Sequence, residues 1–123
     1  MRVTAVVRRP VDEVLAVAGD PARFPSWTFW TAAEAVDGGW RMTSSAGTSL
    51  LRFTSAEPGV LDHEVMLEDG TVVTVPFRVV PHPDGAEVSL EVQRTPGQTD
   101  AEHEADAAQV ATDLAALRAL VEG

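Results

Sequence analysis

The sequence predicts an α+β fold in which a curved, seven-stranded antiparallel sheet wraps a long C-terminal helix, in the element order βααββββββα. Three observations carry this expectation. A β-rich start over residues 2–8 meets Pro10, and apolar residues at helical spacing follow it. From Thr31 onward, short β-type runs alternate with Gly-containing turns. Finally, Thr99-Asp100-Ala101-Glu102 has the form of a capping box that opens a helix running almost to the C-terminus.

Val11, Val14, Leu15 and Ala18 define the apolar face of the first helix, and Gly19 ends it. Asp20, followed by Pro21, caps a second short helical turn that reaches Trp27. Turns are expected at Gly38-Gly39, Ala46-Gly47, Glu57-Pro58-Gly59, Glu68-Asp69-Gly70 and Asp84-Gly85, and they divide the middle of the chain into six strands. In the last helix Val110, Leu114, Leu117 and Val121 form one apolar stripe, with Ala111, Ala115 and Arg118 on the wetter side. There is no linker, repeat or low-complexity segment, so residues 1–123 read as one domain.

Composition excludes several functions. The chain has 123 residues, 45% of them hydrophobic and 23% charged, which is an ordinary globular balance. Its net charge is -10, and its nine basic residues, all Arg, are scattered. Nucleic-acid binding needs clustered cations, so it is not expected, and neither is docking on or insertion into a membrane. The N-terminal residues lack a signal-peptide apolar run, which makes a cytoplasmic location the expectation. With no cysteine there is no disulfide, thiolate catalysis or Cys-based metal site. His63-Glu64 and His103-Glu104 begin like zinc-protease motifs, but Leu67 and Ala107 stand where the second His is required. Phosphate-binding glycine loops and the Gly-x-Ser-x-Gly elbow are absent, so no metal or other cofactor is expected.

The element order, together with Arg9-Pro10-Val11-Asp12-Glu13-Val14 and Asp20-Pro21-Ala22-Arg23-Phe24-Pro25-Ser26-Trp27, resembles the START-like (SRPBCC) superfamily, which includes Bet v 1 and the polyketide cyclase/dehydrase families. The resemblance spans the whole chain. It implies the helix-grip fold, with a hydrophobic ligand cavity between the concave sheet face and the last helix. The superfamily contains lipid carriers, hormone receptors, cyclases and oxygenase subunits, so the fold does not fix an activity. Short turns, and little chain between Trp27 and Thr31, lead to the expectation of a small pocket that disfavours a tetracyclic ligand.

Turn geometry and the period of two assign faces. If Gly38-Gly39 and Ala46-Gly47 are two-residue turns, Asp37 pairs with Trp40 and Ser45 with Thr48, which puts Ala33, Ala35, Trp40, Met42, Leu51 and Phe53 on the concave face. A three-residue turn at 68–70 pairs Leu67 with Thr71 and adds Leu61, His63, Val65, Val73, Val75 and Phe77. A turn at Asp84-Gly85 pairs Val79 with Leu90, Phe77 with Val92 and Val75 with Arg94. The mid-sheet row is then Phe53, His63, Val75 and Arg94, facing His103, Asp106 or Ala107, and Val110 on the helix. Arg94 is expected to form an ion pair with Asp106. The candidate ligand-binding set is Trp27, Phe29, Trp30, Trp40, Met42, Leu51, Phe53, His63, Val75, Phe77, Arg94, His103 and Val110.

Each candidate also has a purely structural account. Trp27, Phe29 and Trp30 can close the core, His103 can be a helix-end side chain, and His63 can be a buried imidazole satisfied by backbone. His82 lies between two prolines in a turn and is assigned no role. The expected function is to bind a small hydrophobic molecule as a monomer or homodimer. One alternative is a small cyclase, dehydratase or isomerase in which His63 moves a proton and Arg94 holds an anion. The other is a non-catalytic scaffold or partner subunit, which an apolar patch around Phe29 and Trp30 would favour.

Overall fold

The computed structural model describes residues 1–123 and is α+β. β1 (Arg2–Val7) leads into α1 (Val11–Ala18) and a 3-10 helix (Pro21–Ser26). Seven further strands follow: β2 (Ala32–Val36), β3 (Gly39–Ser44), β4 (Gly47–Phe53), β5 (His63–Met66), β6 (Val72–Val75), β7 (Phe77–His82) and β8 (Gly85–Glu91). The chain ends in α2 (Asp100–Glu122). At the helix starts, Pro10 precedes α1, and the Asp20 carboxylate accepts the Ala22 N–H at 3.0 Å. Thr99 and Glu102 form the expected reciprocal capping box.

The sheet departs from expectation. Eight strands make two antiparallel sheets, β2-β3-β4-β5-β6 and β1-β8-β7, in place of seven strands in one sheet. The cause is Pro76, which interrupts the expected strand over 71–83. Proline has no N–H to give to a ladder, so pairing with β5 stops at Val75. Beyond the break the register resumes: Val60 bridges Arg78, and the Leu61 N–H donates to the Phe77 carbonyl at 2.7 Å. At the seam the Asp62 carboxylate accepts the Phe77 N–H at 2.9 Å and pairs with the Arg78 guanidinium at 3.0 Å.

All three two-residue turns sit one position earlier than expected. Val36 pairs with Gly39, Ser44 with Gly47, and His82 with Gly85, so each glycine opens a strand. Crowding explains this at Gly85, where a Cβ would collide with the Val7 carbonyl and the Arg9 backbone, and at Gly39, where it would collide with the Leu51 carbonyl. Moving a turn by one position shifts pairing by two residues, so every side chain keeps its face. Leu67 and Thr71 flank the 68–70 turn as expected, with the Leu67 N–H on the Thr71 carbonyl at 2.8 Å.

Packing follows from these faces. Val7, Val14, Phe24, Trp27, Met42, Leu51, Phe77, Leu114 and Leu117 belong to one contiguous core. On α2, Ala107, Leu114 and Leu117 are buried and Val110 and Val121 half-buried, while Ala111, Ala115 and Arg118 are exposed. No helix is long and apolar enough to cross a membrane.

Candidate functional site

Between α2 and the turn-bearing ends of β3 to β6 lies a cavity of about 710 Å³. That is mid-range for a small-molecule site, so the expected small pocket is corrected. Composition accounts for the space: the sheet wall is built from Thr48, Ser49, Val65, Val73 and Val75, which are short side chains that leave room Leu or Phe would fill. Val110 and Leu114 of α2 form the opposite wall, and Trp27, Phe29 and Trp30 complete it.

Seven of the thirteen candidate residues lie on this wall: Trp27, Phe29, Trp30, His63, Val75, Phe77 and Val110. Six do not. Met42 and Leu51 share the concave face, but there it continues into solid core, where both are fully buried, and Trp40 and Phe53 pack against that core. Arg94 follows the end of β8, is half exposed, and pairs with Asp100 at 2.5 Å. The expected Arg94–Asp106 pair is therefore absent; Asp106 instead accepts from the Gln98 amide. The expected partnership of Val75 with Arg94 also fails, because β6 and β8 lie in different sheets. His103 is structural: its Nε2–H donates to the Val92 carbonyl at 2.8 Å and ties the first turn of α2 to the end of the sheet.

His63 sits on the concave face, paired in register with Phe53 and Val75, and is 6% exposed. The Phe53 and Phe77 rings meet it edge-on at 5.9 and 6.2 Å. Its Nδ1 lies 2.9 Å from the Leu61 carbonyl, which can only accept, so Nδ1 carries the proton and Nε2 presents a lone pair when the ring is neutral. Burial holds the imidazole below its ordinary value, against the opposing pull of the Leu61 bond and Asp62, so the neutral form prevails near pH 7.

Trp27 combines the two roles weighed for it. It is 5% exposed, its ring meets Phe24 edge-on at 5.4 Å, and it packs 6.2 Å from Phe77. Yet its Nε1–H is the one buried side-chain polar atom in the chain without a hydrogen-bond partner. Leaving such a donor unpaired costs about 1–3 kcal/mol. Phe29, stacked at a tilt 4.4 Å from Trp30, is 49% exposed and sits at the cavity mouth.

Sequence reasoning missed Asp113 and Gln109. Asp113 is buried on the cavity side of α2 and accepts from the Gln109 amide at 2.8 Å. Burial raises its carboxyl above the ordinary value, while the Gln109 bond and the Phe29 N–H oppose that rise. The signal was present, because position 113 follows Val110 by three and precedes Leu117 by four, on the same stripe. With Glu68, Asp69, Glu91 and Asp106, the wall carries five carboxylates and no Arg or Lys. No group of three or more metal-ligating side chains occurs.

No family model matches the sequence, and no curated protein matches it. Solved structures do. Protein MLL2253 from Mesorhizobium loti superposes with a TM-score of 0.82 at 14% identity, covering 99% of this chain and 96% of that one. Protein CV1439 from Chromobacterium violaceum gives 0.73 at 20% identity, with 100% and 97% covered. DynU16, a protein in the dynemicin biosynthetic locus, gives 0.76 at 20% identity; 99% of this chain matches it but only 46% of DynU16, so the chain spans about half its length. At these identities the likeness is one of fold.

Proposed function

We propose that this chain binds a small, neutral, apolar molecule in the cavity between its sheet wall and α2, and holds it without transforming it. The observation that carries this reading is the wall itself, which combines Trp, Phe, Val and Leu with carboxylates and has no cationic side chain. Apolar area buried from water contributes about 25 cal/mol per Å², while an anion would meet uncompensated negative charge. The helix-grip architecture and membership of the START-like superfamily belong to the same proposal. They are supported by the element order and by α2 lying over the concave face.

Native mass spectrometry of the purified protein tests this reading. A retained compound of neutral, largely hydrocarbon composition is the expected result. Selective retention of carboxylates or phosphates would contradict it.

A second reading is an acid-base enzyme of the cyclase or dehydratase type. It is favoured by the free Nε2 of His63 on the cavity wall. Arg94 cannot serve as its anion clamp from outside the cavity.

A further inference from the structure

The face of the five-stranded sheet turned away from the core carries an apolar row. Leu50 pairs with Met66 and Met66 with Val72, so three side chains stand side by side across β4, β5 and β6. They are 46%, 47% and 49% exposed, and they make up three of the eight large hydrophobic side chains the fold leaves open. A shallow groove of about 170 Å³ lies beside them, bounded by the row and by the Gly38-Gly39 turn. None of the three lines the ligand cavity. Open apolar side chains grouped in this way mark an interaction surface.

Charge selects the partner. The ionic groups on this face are two cross-strand pairs, Arg41 with Glu34 at 3.0 Å and Arg52 with Glu64 at 2.9 Å. Their charges sum to zero in a chain of net charge -10, with Asp37 at the rim of the groove. The rest of the molecule repels an anionic membrane surface, whereas two copies can approach each other through a neutral face. The register makes that face self-complementary. Arg52 stands opposite Glu64 on β4 and β5, and Leu50 stands opposite Met66 two residues away on the same strands. A two-fold axis along the strands, midway between β4 and β5, exchanges the members of each pair. It lays Leu50 of one copy on Met66 of the other and Arg52 on Glu64, and each contact occurs twice. Arg52 and Glu64 bond through one guanidinium nitrogen and one carboxylate oxygen, so both keep capacity for the second copy.

We propose that this face joins two copies of the chain in an isologous dimer centred on β4 and β5. The inference stands apart from whatever the cavity holds.

Sedimentation equilibrium tests it. The mass of the wild type should rise from that of one chain toward that of two between about 10 μM and 1 mM, as a small interface dictates. Met66→Glu, at an exposed position, should fold normally by circular dichroism and weaken association at least about tenfold. Arg52→Glu and Glu64→Arg each set like charges across the axis, so either variant alone should be monomeric. Mixed in equal amounts, they restore opposite charges at both contacts and should associate with each other. A wild type that stays monomeric to about 1 mM would overturn the proposal and leave the face to a different partner. So would association that Met66→Glu leaves unchanged, charge variants that self-associate as well as the wild type, or a mixture of the two that stays monomeric.

Discussion

At His63, Asp62 and Asp113, three local environments shift three side chains in different ways, and each shift has a sign that can be measured. Burial depresses the His63 imidazole below 6.5, whereas the unfolded chain takes up its proton near that value. The unfolded state therefore binds more protons just below pH 6.5. Stability associated with His63 is full above that pH and is lost as pH falls toward the folded value. Melting curves between pH 7 and 5 should show a shallower acid dependence in His63→Phe than in the wild type; an unchanged slope would contradict the burial account. Asp62 is held below 3.8 by the Arg78 guanidinium, while burial raises Asp113 above it. Carboxyl NMR titrations should place the two midpoints on opposite sides of 3.8. The concave position of His63 was legible in the sequence because the period of two survives a misplaced turn. Asp113 was not recognised because the sheet-facing positions of the helix were followed only from His103 to Val110, and beyond Val110 the stripe was read from Leu114, Leu117 and Val121 alone.

Among the elements, α2 carries the most weight, because its inner face is at once core and cavity wall. Leu114 is 1% exposed, so Leu114→Ala should cost about 2–5 kcal/mol by denaturant unfolding. Thr99→Ala removes the capping box and should cost about 1 kcal/mol. At the seam, Asp62→Ala deprives the Phe77 N–H of its charged acceptor beside Pro76, at a cost of about 1.5–3 kcal/mol. A loss below 0.5 kcal/mol, on the order of a neutral surface substitution, would mean the seam is held by its backbone pairs alone. The helices, their caps and the turn order could be read from local signals such as Pro10, Asp20 and Thr99. The split into two sheets could have been read from Pro76 but was not, because the run over 71–83 otherwise looks continuous. Arg94 was misplaced for the same reason: its position was projected from a strand that ends at Glu91. The chain turns only later, at Thr95–Gln98, and alternation does not encode that strand pairing stops before it, at Glu91.

Over the whole molecule, a net charge of -10 and a cavity wall with five carboxylates act together on what can enter. The charge was legible from composition. The cavity volume was not, because it depends on how far the Val, Ser and Thr wall stands from α2 rather than on any one residue. The central claim is that a neutral apolar molecule occupies that space, and a methyl NMR titration of the protein with naphthalene, run beside 2-naphthoate, tests it most directly. The account predicts that naphthalene shifts the methyl signals of Val65, Val73, Val75, Val110 and Leu114, leaves those of the exposed Leu50 and Val80 in place, and binds at least about tenfold more tightly than the carboxylate. Shifts confined to Leu50 and Val80, or a carboxylate that binds as tightly as the hydrocarbon, would contradict it.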